Sequence, residues 1–517
     1  MIFLQKNVNN EYKYESRRAK FSRGGFHICL SLFIQYDMKK IYVCAFGAFL
    51  VVSSAAGFTG CSKTAAARPH YAISGEYFAE DSKLIAQMSV SVPNHSEQAL
   101  ESLSFELWAN AYREGAAYSP VSSLYESSAY YAGKSYGGIE ITSVVGAAGY
   151  EIGGEDKNIL SVTLQEPLYP DETVTVELSF EVTLAQINHR LGVGERNINL
   201  ANFYPVLCAR GESGYLEYIY ACNGDPFVND CADYDVTLTF PENYNIAYSG
   251  DGRVTGENGK KTLAMSAEEV RDVAFVLGEN MTCIQASAGN VPVEYWYISD
   301  TAPETTLKAA ADSLLYFSER FGDYAYPKYT VVETDFPFGG MEYSGLAMIA
   351  AYLQSSEVPE VVAHETAHQW WYSMVGNNQF ETPWLDEGLA EYSTALFLGE
   401  YPEYGTTYEE FIERSENGYR AFFSVKSQVS GEADTTMNRP LTQYSGEYEY
   451  RNIAYDKGVI LFDRVRSLTG DRAFFAGLKR YFEKYSGKIA SPDDLLSCFG
   501  GNAQELMRSF MDGKCVI

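Results

Sequence analysis

The stretch V-V-A-H-E-T-A-H-Q-W-W, residues 361–371, sets His364 and His368 four residues apart with Glu365 beside the first. On a helix, positions i and i+4 project from one face about a turn apart, so both imidazoles can meet one ligand. Val361, Val362, Ala363 and Ala367, then Trp370 and Trp371, supply an apolar setting that can hold the rings still. A catalytic zinc wants three protein ligands and an open fourth position, so a third group must arrive from another element. The stretch 383–392, P-W-L-D-E-G-L-A-E-Y, offers Glu387 across the 18 residues 369–386. A turn at Gly376-Asn377-Asn378 lets one helix end and a second return with its carboxylate. His364, His368 and Glu387 then make a His2Glu set for one Zn2+ per chain, and Glu365, pointing beside the metal, can take a proton from the attacking water. A closed structural zinc site is the competing reading. It would call for a fourth ligand, often cysteine, and no cysteine lies near this helix in the sequence.

The surrounding chain divides by pattern. Residues 71–289 read as short strands: 84–92, 101–109, 173–184, 233–240 and 272–278 alternate apolar and polar positions. Pro93-Asn94, Pro170-Asp171 and Gly250-Asp251-Gly252 punctuate them, which predicts an N-terminal antiparallel β-sandwich domain. The Gly-, Ser-, Ala- and Tyr-rich tract 115–138 reads as a long loop. Residues 290–517 form an α+β domain, with strands at 291–298 and 328–336 and a helix at 304–321 between them. Further helices are expected at 358–376, 386–399, 407–423, 453–468, 471–485, 491–498 and 502–511. The fold class is therefore multidomain, a β domain followed by an α+β domain.

With these residues in place, the chain resembles the aminopeptidase N family of gluzincin zinc metallopeptidases. That family shares H-E-x-x-H, eighteen residues, and a glutamate within W-L-x-E-G, here Trp384-Leu385-Asp386-Glu387-Gly388. Its substrate motif G-x-M-E-N has a counterpart in Gly339-Gly340-Met341-Glu342-Tyr343, and its Y-x-K-G in Tyr455-Asp456-Lys457-Gly458. The resemblance implies a thermolysin-like catalytic domain over 290–517 and a peptide substrate. It implies that Glu342 binds a free α-amine, that Gly339 and Gly340 pair with substrate backbone beside Met341, and that Tyr455 donates to the oxyanion. Tyr450 matches a second family tyrosine that shapes the site. In a chain with 41 tyrosines, either could instead be a packing residue. Tyr343 replaces the motif asparagine, which implies a change in how the amine or the first carbonyl is held. Full-length relatives continue into a helical domain, whereas this chain ends at Ile517, so a more open cleft is expected. Two alternatives to an aminopeptidase follow: an open-cleft zinc endopeptidase, or a non-catalytic, lipid-tethered peptide-binding protein.

The N-terminus bears on location. From Met38 the chain reads M-K-K-I-Y-V-C-A-F-G-A-F-L-V-V-S-S-A-A-G-F-T-G-C-S-K, the layout of a secretory signal ending in a lipobox-like Phe58-Thr59-Gly60-Cys61. Residues 1–37 are then a mis-assigned start, 38–60 a lipoprotein signal peptide, and 61–70 a tether from lipidated Cys61. The expected location is the outer face of the bacterial cell membrane, with an uncleaved signal anchor as the alternative. A net charge of −29 argues against a nucleic-acid partner. Cys208, Cys222, Cys231, Cys283, Cys498 and Cys515 lack CxxC spacing, and either disulfides or free thiols fit.

Overall fold

The computed structural model describes residues 68–514. The expected start, signal peptide and lipidated Cys61, with most of the tether, lie outside the described residues, as does Cys515. The described residues form one compact unit.

Alternation builds the first half. In Lys83–Pro93, Leu84, Ala86, Met88, Val90 and Val92 are buried while the residues between them face outward, the period-two signature of a half-buried strand. This strand lies inside a seven-stranded sheet. Its order is Asp251–Glu257, Lys260–Val270, Ala232–Pro241, His70–Phe78, Lys83–Pro93, Thr173–Thr183, Gly138–Val145. All neighbours are antiparallel except His70–Phe78 with Ala232–Pro241, which run parallel. The purely antiparallel expectation misses this pair because its strands lie far apart in sequence, where no turn signal reports their direction. Two four-stranded sheets and a two-stranded ribbon, Arg210–Gly211 with Gly214–Tyr215, complete this half. One four-stranded sheet contains Leu100–Glu106 and Ile159–Leu168, the other Asn197–Ala201 and Ala274–Gly278. The tract 115–138 is a loop interrupted by one short helical turn, Glu126–Ala129.

The second half begins earlier than residue 290. Thr282–Ala288 and Val291–Tyr297 pair as a hairpin about Gly289 and Asn290, with Gly289 at φ +60°. A division at 289 would cut that pairing, so the sheet of the second half starts at Thr282. Its order is Thr282–Ala288, Val291–Tyr297, Tyr329–Thr334, Leu346–Ala350, Gly340–Tyr343. Gly340–Tyr343 is therefore an edge strand, joined to Leu346–Ala350 by a turn in which Gly345 takes φ +72°. Helices Pro303–Phe321 and Val358–Ala367 pack on each other and Trp384–Glu400 packs on Val358–Ala367.

The helix expected over 358–376 ends at Ala367, with His368 as its cap. Beyond it, the amides of Ser373, Met374 and Val375 bond the carbonyls of His368, Gln369 and Trp370, so the chain widens to i, i+5 spacing. Similarly, the helix expected from 453 starts as a π turn, Arg451–Asp456, before the α-helix Lys457–Thr469. Among the described residues no helix is long and apolar enough to cross a membrane. Cys208, Cys222, Cys231, Cys283 and Cys498 are free thiols.

Candidate active site and metal centre

Helix Val358–Ala367 and its cap present His364 and His368 on one face, with Nε2 atoms 3.0 Å apart. From helix Trp384–Glu400, Glu387 brings Oε2 to 3.4 Å from His364 Nε2 and 3.3 Å from His368 Nε2. The two facing imidazole nitrogens can share one proton as a hydrogen bond, or turn both lone pairs toward one cation. Glu387 Oε2 is buried and has no hydrogen-bond donor. The two edges to Glu387 match the spacing of about 3.3–3.4 Å expected between ligands held at about 2.0–2.1 Å around a tetrahedral Zn2+, and the 3.0 Å edge between the imidazoles is about 0.3 Å shorter. The residues present therefore fit the metal the sequence calls for.

Neighbours fix these ligands. His368 Nδ1 lies 3.1 Å from the Trp371 carbonyl, and His364 Nδ1 lies 2.7 Å from Glu391. Such partners set the tautomer and aim the metal-binding nitrogen. Glu391, one helical turn after Glu387, was not anticipated, although its i+4 spacing on the same face was a usable signal. Burial alone would lower both histidine pKa values. The carboxylates override it: Glu387 and Glu391 raise His364, and Glu342 with Glu387 raises His368 to about 10. Without a metal, the site draws positive charge.

Glu365 is buried, and its Oε2 lacks a partner. Burial, partly offset by His364 and His368, raises its pKa to about 7. Gly340 lies directly against it: a Cβ there would come within 2.4 Å of Glu365 Oε1. Gly339 faces Val361, while Met341 is buried in the core. Glu342, two residues along the edge strand and 4% exposed, accepts from Gln379 Nε2 at 3.1 Å. Gln379 also donates to Asp386 at 2.7 Å, and Asn377 donates to the other Asp386 oxygen at 2.8 Å. Burial pushes the Glu342 carboxyl well above its ordinary range, and burial with Glu387 raises Asp386 to about 7. Tyr343 alternates to the opposite side of the strand. It is fully buried, with its hydroxyl 3.5 Å from Asn202 Oδ1.

The π turn places Tyr450 and Tyr455, five residues apart, on the same side, since its hydrogen bonds span i to i+5. Both hydroxyls donate to Glu387 Oε1, Tyr450 at 3.3 Å. The Tyr455 ring lies parallel to that of His364 at 5.8 Å. Burial and Glu387 keep the Tyr455 hydroxyl protonated by raising its pKa well above the usual phenol value. The glycines of the two motifs explain the meeting. A Cβ on Gly458 would sit 2.6 Å from Gly388 Cα, and one on Gly388 would sit 3.0 Å from Gly458 Cα. The two helices therefore cross with backbones touching, which brings Glu387 to Tyr455. Lys457 bonds the carbonyls of Thr435 and Phe510, so its place in the motif is structural.

The strand-rich half braces the site in ways the sequence did not disclose. Arg271, 1% exposed, donates to the carbonyls of Tyr372 (2.6 Å), Asn229 (2.7 Å) and Lys488 (2.7 Å). Asp272 accepts the Ser344 amide at 2.8 Å and the Tyr372 hydroxyl. These two residues tie the turn after the histidine helix to the turn after Glu342. Asp225, paired with Arg190 at 2.5 Å, adds negative field at Glu342 and Glu365. The adjacent Gly224 packs on Tyr450, where a Cβ would lie 3.1 Å from the ring.

A chain with this fold and this donor set has the architecture of a two-part zinc metallopeptidase, and comparison with known proteins agrees. Residues 305–513 match the family described as Peptidase family M1 domain. Aminopeptidase 2, mitochondrial, of Saccharomyces cerevisiae is 24% identical over 297 residues, covering 54% of this chain and 30% of the yeast protein. Endoplasmic reticulum aminopeptidase 2 of Bos taurus is 27% identical over 397 residues, covering 69% of this chain and 39% of the bovine one. The chain thus spans well under half of these relatives. Crystal structures of an M1 zinc metallopeptidase from Deinococcus radiodurans share the fold: one aligns with TM-score 0.62 and 20% identity over 87% of this chain and 95% of that one. A further structure, of a mutant bound to a Tyr-Ser-Ala substrate, aligns with TM-score 0.61. Residues 305–513 are thus similar to the peptidase family M1 domain, and the wider chain shares the fold of these two-part metallopeptidases.

Proposed function

We propose that the protein is a zinc-dependent aminopeptidase that removes the first residue from peptides. His364, His368 and Glu387 would hold the ion, which when bound would supply a Lewis acid and bring the pKa of its water down to about 7. Glu365, buried with an unpartnered oxygen beside the metal ligands, accepts a proton from the attacking water and returns it to the leaving amine. Tyr455, kept protonated, would turn its hydroxyl from Glu387 to donate to the oxygen on which charge develops. The free edge of Gly340–Tyr343 offers main-chain groups to an extended peptide, in the manner of an added strand.

One observation carries the exopeptidase reading. Glu342 is a nearly buried carboxylate at the closed end of that edge, and Tyr343 and Ser344 beyond it are fully buried. A lone carboxylate there is unfavourable, and a substrate ammonium restores its charge. Glu365 meets the edge at Gly340, so an amine on Glu342 sets the first peptide bond beside the base. The family likeness and the aminopeptidases among its relatives support the same reading. The Tyr343 substitution leaves this pocket unaltered, because its side chain turns into the core.

The test compares free and N-acetylated forms of one peptide with an internally quenched peptide blocked at both ends. The aminopeptidase reading expects cleavage of the free form alone, and Glu342→Gln should raise KM at least tenfold by removing the charged anchor. Equal turnover of free and acetylated peptides would favour the endopeptidase. No cleavage of any peptide at full zinc occupancy would favour the non-catalytic binding protein.

A further inference from the structure

We propose that the tract 115–137 of the strand-rich half forms the wall that meets the peptide beyond the cut bond, and that Tyr125 selects substrates whose second or third residue is apolar. The inference rests on the aminopeptidase reading, because that reading fixes the direction of the bound chain.

An amine held by Glu342 leaves the rest of the peptide one way out. Toward Tyr343 and Ser344 the edge strand is fully buried, whereas Gly340, Gly339 and Phe338 are partly open. With Glu365 at Gly340, the residues after the cut bond must run past Gly339 to Phe338. There the tract arrives. The Tyr125 ring packs edge-on against Phe338, with centroids 4.9 Å apart. On the opposite bank, Ser122 Oγ donates to Glu447 Oε1, three residues before Tyr450. The tract therefore ties the edge strand to the helix bearing the site tyrosines, across the exit.

It is held firmly enough to act as a wall. The amides of Ala117 and Tyr118 donate to the Asp156 carboxylate at 2.7 and 2.9 Å. The Asn188 amide donates to the Ala129 carbonyl at 2.9 Å, and Gly137 closes onto Tyr112 at 2.9 Å. Apolar groups are left in water around it: Leu124 of the tract is 71% exposed, and Tyr352, in the loop after Leu346–Ala350 and close enough to Tyr125 to feel its charge, is 62% exposed. Large apolar side chains grouped at the mouth of a cleft mark a place where apolar ligand atoms are received. Aromatic rings reward such contact by about 2- to 12-fold per pair.

The test uses the zinc-loaded full chain and four substrates sharing one first residue X: X-amide, X-Gly-Gly, X-Phe-Gly and X-Gly-Phe. Tyr125→Ala should lower kcat/KM about 3- to 10-fold on the two Phe-containing peptides, through KM, and leave X-amide and X-Gly-Gly unchanged. Tyr125→Phe should match the wild type, since the ring and not the hydroxyl makes the contact. Should Tyr125→Ala fold poorly, Tyr352→Ser at the exposed rim should show the same selective loss. An equal loss on all four substrates, or no loss on any, overturns the proposal while the aminopeptidase reading stands. A wild type that leaves all four intact overturns both.

Discussion

The contact between Gly388 and Gly458 gives the sharpest test of how the site is assembled. In Gly458→Ala the new methyl would begin 2.6 Å from Gly388 Cα, while carbon atoms rest at about 3.5–4.0 Å. The obstacle is backbone on a packed helix, so the helices must part by roughly 1 Å. In Gly388→Ala the starting distance is 3.0 Å, and the separation is about half that. Overpacking of this kind costs about 1–3 kcal/mol of stability. The larger effect falls on the site, because Glu387 precedes one glycine and Tyr455 lies one turn before the other. A displacement of about 1 Å can cost on the order of 100-fold in rate. Gly458→Ala should thus lose about 100-fold in kcat, with Gly388→Ala affected less. The assay is steady-state cleavage of a free-amine peptide, with zinc content and melting temperature measured on the same samples. A Gly458→Ala enzyme with wild-type kcat, or one less impaired than Gly388→Ala, would refute the argument that this contact sets the Glu387–Tyr455 geometry.

Further outcomes follow from the same geometry. The pKa values of Glu365 and Asp386, both about 7, and His368, about 10, are raised in the metal-free fold. Groups raised on folding contribute stability that is lost as pH rises through the folded pKa, so the metal-free protein should melt at lower temperature at pH 8.5 than at pH 6. Zinc should accordingly raise the melting temperature more at the higher pH, and a gain independent of pH would contradict this. Gly340→Ala should push the Glu365 carboxylate aside and cut kcat by about 100-fold while zinc content stays at one per chain; unchanged kcat would show that Gly340 does not abut the working base. Cys61→Ser should move the protein from the membrane fraction to the soluble fraction of the producing bacterium if Cys61 carries lipid, and continued membrane retention would favour the signal anchor.

How much of this was legible depended on how local each signal was. His364 and His368 could be read because a helix makes i and i+4 neighbours. Glu387 could be read because only a returning helix brings a carboxylate back across 369–386. The alternating strand Lys83–Pro93 announces its buried face residue by residue. The parallel pairing of His70–Phe78 with Ala232–Pro241 has no local mark, and neither does the approach of Gly388 to Gly458. Arg271 and Asp272 look like an ordinary charged pair at the start of a strand, and only the folded chain shows them clamping two turns of the site. The π turn over Arg451–Asp456 escaped because apolar spacing there is compatible with an ordinary helix; the pairing of Tyr450 with Tyr455 at five residues was its trace.

The central claim is that two imidazoles and one carboxylate from separate helices grip a single ion and leave room for water. Anomalous diffraction at the zinc edge, on crystals of the zinc-loaded protein, tests it most directly. The account predicts one peak per chain at about 2.0–2.2 Å from His364 Nε2, His368 Nε2 and a Glu387 oxygen, with no fourth side chain coordinated. A peak elsewhere, none at all, or a site closed by a fourth protein ligand would contradict it.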